Sequence, residues 1–86
     1  MRLVFYSSKF CDPCIATRAV IGEAARLVPD AEIVERDVVR DETAAEADGI
    51  RSTPTVIVTR ADGHEVARAE GVPTLNHLLV ALAKAV

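Results

Sequence analysis

Two cysteines stand three apart in Cys11-Asp12-Pro13-Cys14, and the chain has no others. A bridge across that spacing closes almost no loop, so it contributes little to stability. Thiols held this close serve exchange chemistry or a metal better than they serve a scaffold. In exchange chemistry the thiolate attacks. It forms more readily than the free-thiol pKa of about 8.5 implies when the sulfur stands at a helix N-terminus. The residues that follow supply such a helix, and Pro13 suits its first turn, where a missing N–H costs nothing. Cys11 then meets the unpaired N–H groups and the positive end of the helix dipole. Cys14 lies one turn further in, more buried and within reach of Cys11. The expected division of labour is that Cys11 attacks a substrate disulfide, a mixed disulfide forms, and Cys14 resolves it.

Asp12 works against the thiolate. A carboxylate beside Cys11 disfavours a second negative charge and offsets part of the helix effect, while its place in the first turn stabilises the helix. Lys9, two residues before Cys11, is positioned to compensate. The competing chemistry is metal binding, with His64 and His77 as further donors. Zinc takes four ligands, however, and neither histidine has a partner at ligand spacing; both read as surface residues. No metal and no bound cofactor are expected, because a Cys11–Cys14 disulfide and its dithiol themselves carry two electrons.

The elements that must position these thiols can be read from the apolar pattern. Leu3-Val4-Phe5-Tyr6 is a short apolar run consistent with a buried strand, and residues 7–10 form the loop that delivers the cysteines. From Pro13 the pattern turns helical. Thr17, Val20, Ile21, Ala24, Leu27 and Val28 recur at spacings of three and four, with Arg18, Gly22 and Arg26 opposite. Pro29 and Asp30 end that helix. Residues 31–38 read as a second strand with Ile33, Val34 and Val38 as its apolar content. Asp41 is the expected N-cap of a short helix through Ala47, stopped at Gly49, and Glu42, Glu46 and Asp48 read as a solvated face. Residues 55–59 are a β-branched strand. Asp62-Gly63 turns the chain into residues 65–70, an edge strand. Leu75, Leu78, Leu79, Leu82 and Val86 form the core stripe of a last helix.

The order β-α-β-α-β-β-α defines an α/β fold. Its first βαβ unit should be a right-handed parallel crossover and its last strand pair an antiparallel hairpin. A four-stranded mixed sheet with helices on both faces follows, in a single domain over residues 1–86. Half of the 86 residues are hydrophobic, and the net charge is −3. That composition is too apolar for a disordered chain and too mixed with charge for a membrane span. Its longest apolar stretches fall far short of the roughly 20 residues a bilayer requires. The Lys and Arg residues are scattered, with no one-sided basic stripe for a phosphate backbone. The expectation is a cytoplasmic monomer with no nucleic-acid or membrane partner and no N-terminal signal.

Phe10-Cys11-Asp12-Pro13-Cys14, followed by Gly49-Ile50-Arg51-Ser52-Thr53-Pro54-Thr55, resembles the thioredoxin/glutaredoxin family across nearly the whole chain. In thioredoxins the motif is Trp-Cys-Gly-Pro-Cys, and the downstream segment carries a cis-proline facing the cysteines. The resemblance implies a thioredoxin-like fold of minimal, glutaredoxin-like size, lacking the strand and helix with which thioredoxins begin. It implies Cys11 as nucleophile and Cys14 as resolving thiol, Pro54 as the cis-proline, and Thr53 as the residue whose backbone pairs with the substrate chain. Phe10 takes the place of the family's tryptophan. Phe5 takes the place of a buried aspartate that assists thiol proton transfer, with Glu35 on the neighbouring strand a potential substitute, though an exposed or paired carboxylate is the expected reading.

Tyr6-Ser7-Ser8-Lys9 and the length also fit glutaredoxins. Their usual Cys-Pro-Tyr-Cys motif, a Val before the proline and a Gly-Gly-Asp segment for glutathione are replaced here by Asp-Pro, Thr53 and Gly71-Val72-Pro73. The implied function is disulfide reduction in protein substrates, with a thioredoxin reductase favoured over glutathione as electron donor. The alternatives are a glutathione-dependent glutaredoxin, a metal or iron–sulfur module using the cysteine pair, and a redox-silent docking domain.

Overall fold

Four apolar, β-rich segments become strands in the computed structural model, which describes residues 1–86, and three helices join them. The order is β1 (Arg2–Ser7), α1 (Asp12–Leu27), β2 (Glu32–Asp37), α2 (Glu42–Ala47), β3 (Thr55–Thr59), β4 (Glu65–Glu70) and α3 (Leu75–Lys84). The strands lie in the order β2-β1-β3-β4. β1 runs parallel to β2 and antiparallel to β3, and β3 and β4 form an antiparallel hairpin. The mixed sheet expected from the element order is therefore present.

Alternate residues of the central strands point to opposite faces, and both faces are covered. Leu3, Phe5, Val56 and Val58 pack with Cys14, Ile21 and Ala24 of α1 and with Leu78, Ala81 and Leu82 of α3. Val4, Tyr6 and Ile57 point the other way and meet Ala45 of α2. This double burial explains why the centre of β1 reads as an uninterrupted apolar run rather than an alternating one. No helix is long and apolar enough to cross a membrane.

Several local expectations change. Val86 is 92% exposed and lies beyond the last turn of α3, whose core face is completed by Ala81 and Ala85. Leu27 is 62% exposed. It sits roughly a quarter turn from the centre of the stripe set by Cys14, Thr17, Ile21 and Ala24. Ile33 is exposed because β2 is a sheet edge. Ser7 continues β1 instead of opening the loop, paired in register with Asp37.

Asp41 occupies the N-cap position of α2 but makes no capping bond. Its carboxylate accepts from the Asp37 N–H at 3.1 Å, while Asp37 accepts from the N–H groups of Val39 and Arg40. The two carboxylates thus knit the turn that precedes the helix. Gly49 follows α2 with φ +66°, a left-handed stop that favours glycine.

Asp48 is not part of a solvated face. It accepts a hydrogen bond from the buried Tyr6 hydroxyl, to which Arg36 also donates at 3.1 Å. A buried phenol requires such a partner. Burial raises the Tyr6 pKa, and the bond to Asp48 adds to the effect.

Candidate functional site

The loop between β1 and α1 must reverse the chain between Ser7 and Asp12. Phe10 takes φ +56°, a left-handed conformation that costs a non-glycine residue of order 1 kcal/mol. Its ring is fully exposed. The reversal leaves Cys11 as the N-cap of the 16-residue α1, with Asp12 and Pro13 in the first turn. Its Sγ accepts from the Cys14 N–H at 3.1 Å. Cys11 and Cys14 are joined as a disulfide with 5.2 Å between their Cα atoms. The two sulfurs differ in access, since Cys11 is half-buried and Cys14 is 2% exposed. The expected N-cap placement and burial order are both observed.

The second half of the motif meets the first. The Thr53–Pro54 peptide bond is cis, and the buried Pro54 carbonyl accepts from the Gly71 N–H at 2.9 Å. The Thr53 and Ser8 hydroxyls are 2.7 Å apart, tying the residue before the proline to the loop that delivers Cys11. Sequence reasoning did not single out Ser8. A serine in a loop carries no pattern of its own, and its partner lies 45 positions away.

Lys9 lies with Ser8 against the Asp37–Arg40 turn. Asp37 is held below the usual carboxylate range, first by the N–H groups of Arg40 and Val39 and then also by the Lys9 charge. Ile15 and Val72 are exposed near the motif, whereas Ile50 packs against the α2 side of the sheet. His64 and His77 are both exposed, and no three His, Cys, Asp or Glu residues come close enough to share a metal ion.

Beneath the start of α1 the core carries Phe5 and no carboxylate. Glu35, opposite Phe5 in register, is turned to the surface side and paired. Arg18 donates to both its oxygens at 2.9 and 2.7 Å, and Ser7 donates at 3.0 Å. The same guanidinium lies 5.6 Å from the Phe5 ring centroid. Arg18 lowers the Glu35 pKa most strongly, opposed by partial burial and helped by Ser7.

A lowered folded pKa means that Glu35 stabilises the fold fully above its unfolded value, and that this contribution disappears as pH falls through the folded one. Glu35→Gln should therefore unfold at a lower temperature than the parent at pH 7. The two melting curves should converge as the medium becomes more acidic than the ordinary glutamate range. A gap that persists in acid would assign the effect to packing instead.

The thioredoxin family model matches residues 1–84. A thioredoxin from Chlamydia muridarum (strain MoPn / Nigg) is 30% identical over 82 residues, which is 95% of this chain and 79% of that protein. Thioredoxin 1 from Thermosipho africanus superposes with a TM-score of 0.84 at 19% identity, over 98% of this chain and 92% of that one. A mutant thioredoxin from Halobacterium salinarum does so with a TM-score of 0.87 at 26% identity, over 98% and 73%. These likenesses extend over nearly the whole chain. The chain is a thiol–disulfide oxidoreductase and belongs to the thioredoxin family.

Proposed function

We propose that the protein is a monomeric, single-domain protein-disulfide reductase of a reducing compartment such as the cytoplasm, re-reduced by a thioredoxin reductase. Cys11 is the nucleophile and Cys14 the resolving thiol. The exposed Phe10 ring, Asp12, Pro13 and the Thr53–Pro54 segment shape the surface on which the substrate lies. The observation that carries this reading is the unequal access of two sulfurs on one helix N-terminus, Cys11 half-buried and Cys14 at 2% exposure.

The steps follow from that asymmetry. The Cys11 thiolate attacks one sulfur of a substrate disulfide, forming a Cys11–substrate bond and releasing the other sulfur as a thiolate that takes a proton from water. The Cys14 thiol loses its proton and attacks Cys11 Sγ. The Cys11–Cys14 disulfide forms and the second substrate sulfur leaves as a thiol. Two electrons pass to the substrate, and the reductase returns two to the protein. Backbone N–H groups at the start of α1 favour the negative sulfur of Cys11.

The test is reduction of a protein disulfide with two electron sources in parallel, NADPH with thioredoxin reductase and NADPH with glutathione and glutathione reductase. Turnover with the first alone is expected. Turnover with glutathione alone would make the protein a glutaredoxin in function, and turnover with neither would remove the reductase reading.

A further inference from the structure

The carboxyl ends of β1 and β2 leave a crevice of about 470 Å³, bounded entirely by polar residues and running from Ser8 and Lys9 to Arg40 and Asp41. In open α/β sheets, crevices outside the carboxyl ends of parallel strands are where ligands bind. This one shares Ser8 with the loop that delivers Cys11, and Ser8 is also bonded to Thr53.

Its charges are unequally committed. Glu35 is taken up by Arg18 and Ser7, Asp37 by the Val39 and Arg40 N–H groups, and Asp41 by the Asp37 N–H. Arg18 is held by Glu35. Neither the Lys9 nor the Arg40 side chain makes a close ion pair or a hydrogen bond within residues 1–86, and across the crevice both charges act on Asp37 without contact. Asp12, the acid beside Cys11, does not line the crevice.

We propose that Lys9 and Arg40 form a carboxylate-binding flank that selects disulfide substrates carrying an Asp or Glu within a few residues of the reacting cysteine. The inference rests on Cys11 being the attacking residue. Neither cysteine lines the crevice, but the backbone of Lys9 is two residues from Cys11, at most about 7 Å along the chain, so a carboxylate held on this flank lies within a few residues of the substrate sulfur under attack. Arg40 offers a planar fork that matches a carboxylate in bidentate fashion. Charges at such a rim act mainly on association rate and salt dependence, and exposed pairs contribute modestly.

The test is single-turnover oxidation of the reduced full chain by two sets of peptide disulfides that differ only in Glu or Gln at one of the three positions on either side of the cysteine. At one or more of these positions the Glu peptide is expected to react about three- to tenfold faster, a preference of the size that two exposed charge contacts supply. That ratio should fall to about one in Lys9→Gln/Arg40→Gln and in high salt, and Lys9→Arg should retain it. Equal rates for the Glu and Gln peptides at every position in the parent protein would overturn the proposal. So would a ratio left intact in the double variant while both rates drop together, because Lys9 would then be acting on Cys11 and not on substrate. Oxidation by any of the peptides that survives Cys11→Ser would instead overturn the assignment of Cys11, and the flank with it.

Discussion

Cys14→Ser is expected to accumulate a covalent one-to-one complex with a disulfide substrate, and Cys11→Ser to form none and to lose all measurable turnover. The two variants differ by one oxygen-for-sulfur exchange each, so the contrast between them reports chemistry and not folding. Neither exchange removes a bond the fold depends on. A bridge that closes so short a loop adds little stability, and both residues keep a small polar side chain on α1. Serine at position 11 can still accept the Cys14 N–H that Cys11 Sγ now accepts at 3.1 Å, as N-cap serines do.

What differs is reach. Cys11 stands at the mouth of the helix, where an incoming sulfur can approach in line with the substrate disulfide. Cys14 is 2% exposed and packed with Phe5, Ile21 and Leu82. In Cys14→Ser the attack proceeds, the leaving thiolate departs, and no second thiol is present to break the Cys11–substrate bond. Non-reducing electrophoresis and intact mass would show the adduct, and dithiothreitol would release it. An adduct formed by Cys11→Ser through Cys14 would reverse the assignment of the two roles.

The parts of the site set by local chemistry were legible in the residues, and the parts set by tertiary contact were not. Pro13 marks the first turn of α1, with Cys11 before it and Cys14 within it, and Gly49 marks the stop of α2. Thr53-Pro54 reads as a site feature through the resemblance to thioredoxins, and a proline directly before a β-branched run is also a place where a cis bond is tolerated. Asp48 gave no such signal. On a short helix it looks solvated, and only the sheet register brings the Tyr6 hydroxyl beneath it. Lys9 was read against its neighbour in sequence, Cys11, whereas in the fold it lines the crevice with Asp37 and Arg40. Val86 and Leu27 fitted their stripes by periodicity alone. Periodicity does not say where a helix ends or how wide a face the sheet covers. Glu35 is open in the sequence to reading as a substitute proton-transfer group, with an exposed or paired carboxylate the expected one, and no pattern names Arg18 as its partner. The geometry gives the pair, with both carboxylate oxygens occupied.

Phe5 stands where the resemblance to thioredoxins implies a buried aspartate, and its removal should be among the costliest single changes in the core. The ring is 1% exposed at the centre of β1, packed in the cluster that holds Cys14, Ile21 and Leu82. Truncating a buried phenylalanine to alanine costs about 3–5 kcal/mol, through lost burial and the cavity left behind. A domain of this size has roughly 4–13 kcal/mol in total, so Phe5→Ala should lower the melting temperature by roughly 15–30 °C. Val72→Ala, at an exposed position, should stay within about 0.5 kcal/mol of the parent.

Phe5→Asp places at this position the residue type that resembling thioredoxins carry there, and it separates two accounts of the site. If the space beneath α1 is dry and filled by the ring, an aspartate there is buried without a partner, and its folded pKa rises. A raised folded pKa makes the variant relatively more stable in acid, with the penalty growing as pH rises above the unfolded value of about 3.9. Urea denaturation at pH 4 and pH 7 should then show a wider gap from Phe5→Ala at pH 7. A Phe5→Asp protein that holds its parent's midpoint at pH 7 would mean that water or a cation enters the space the ring vacates, and there the introduced carboxylate could accept the proton of the resolving thiol.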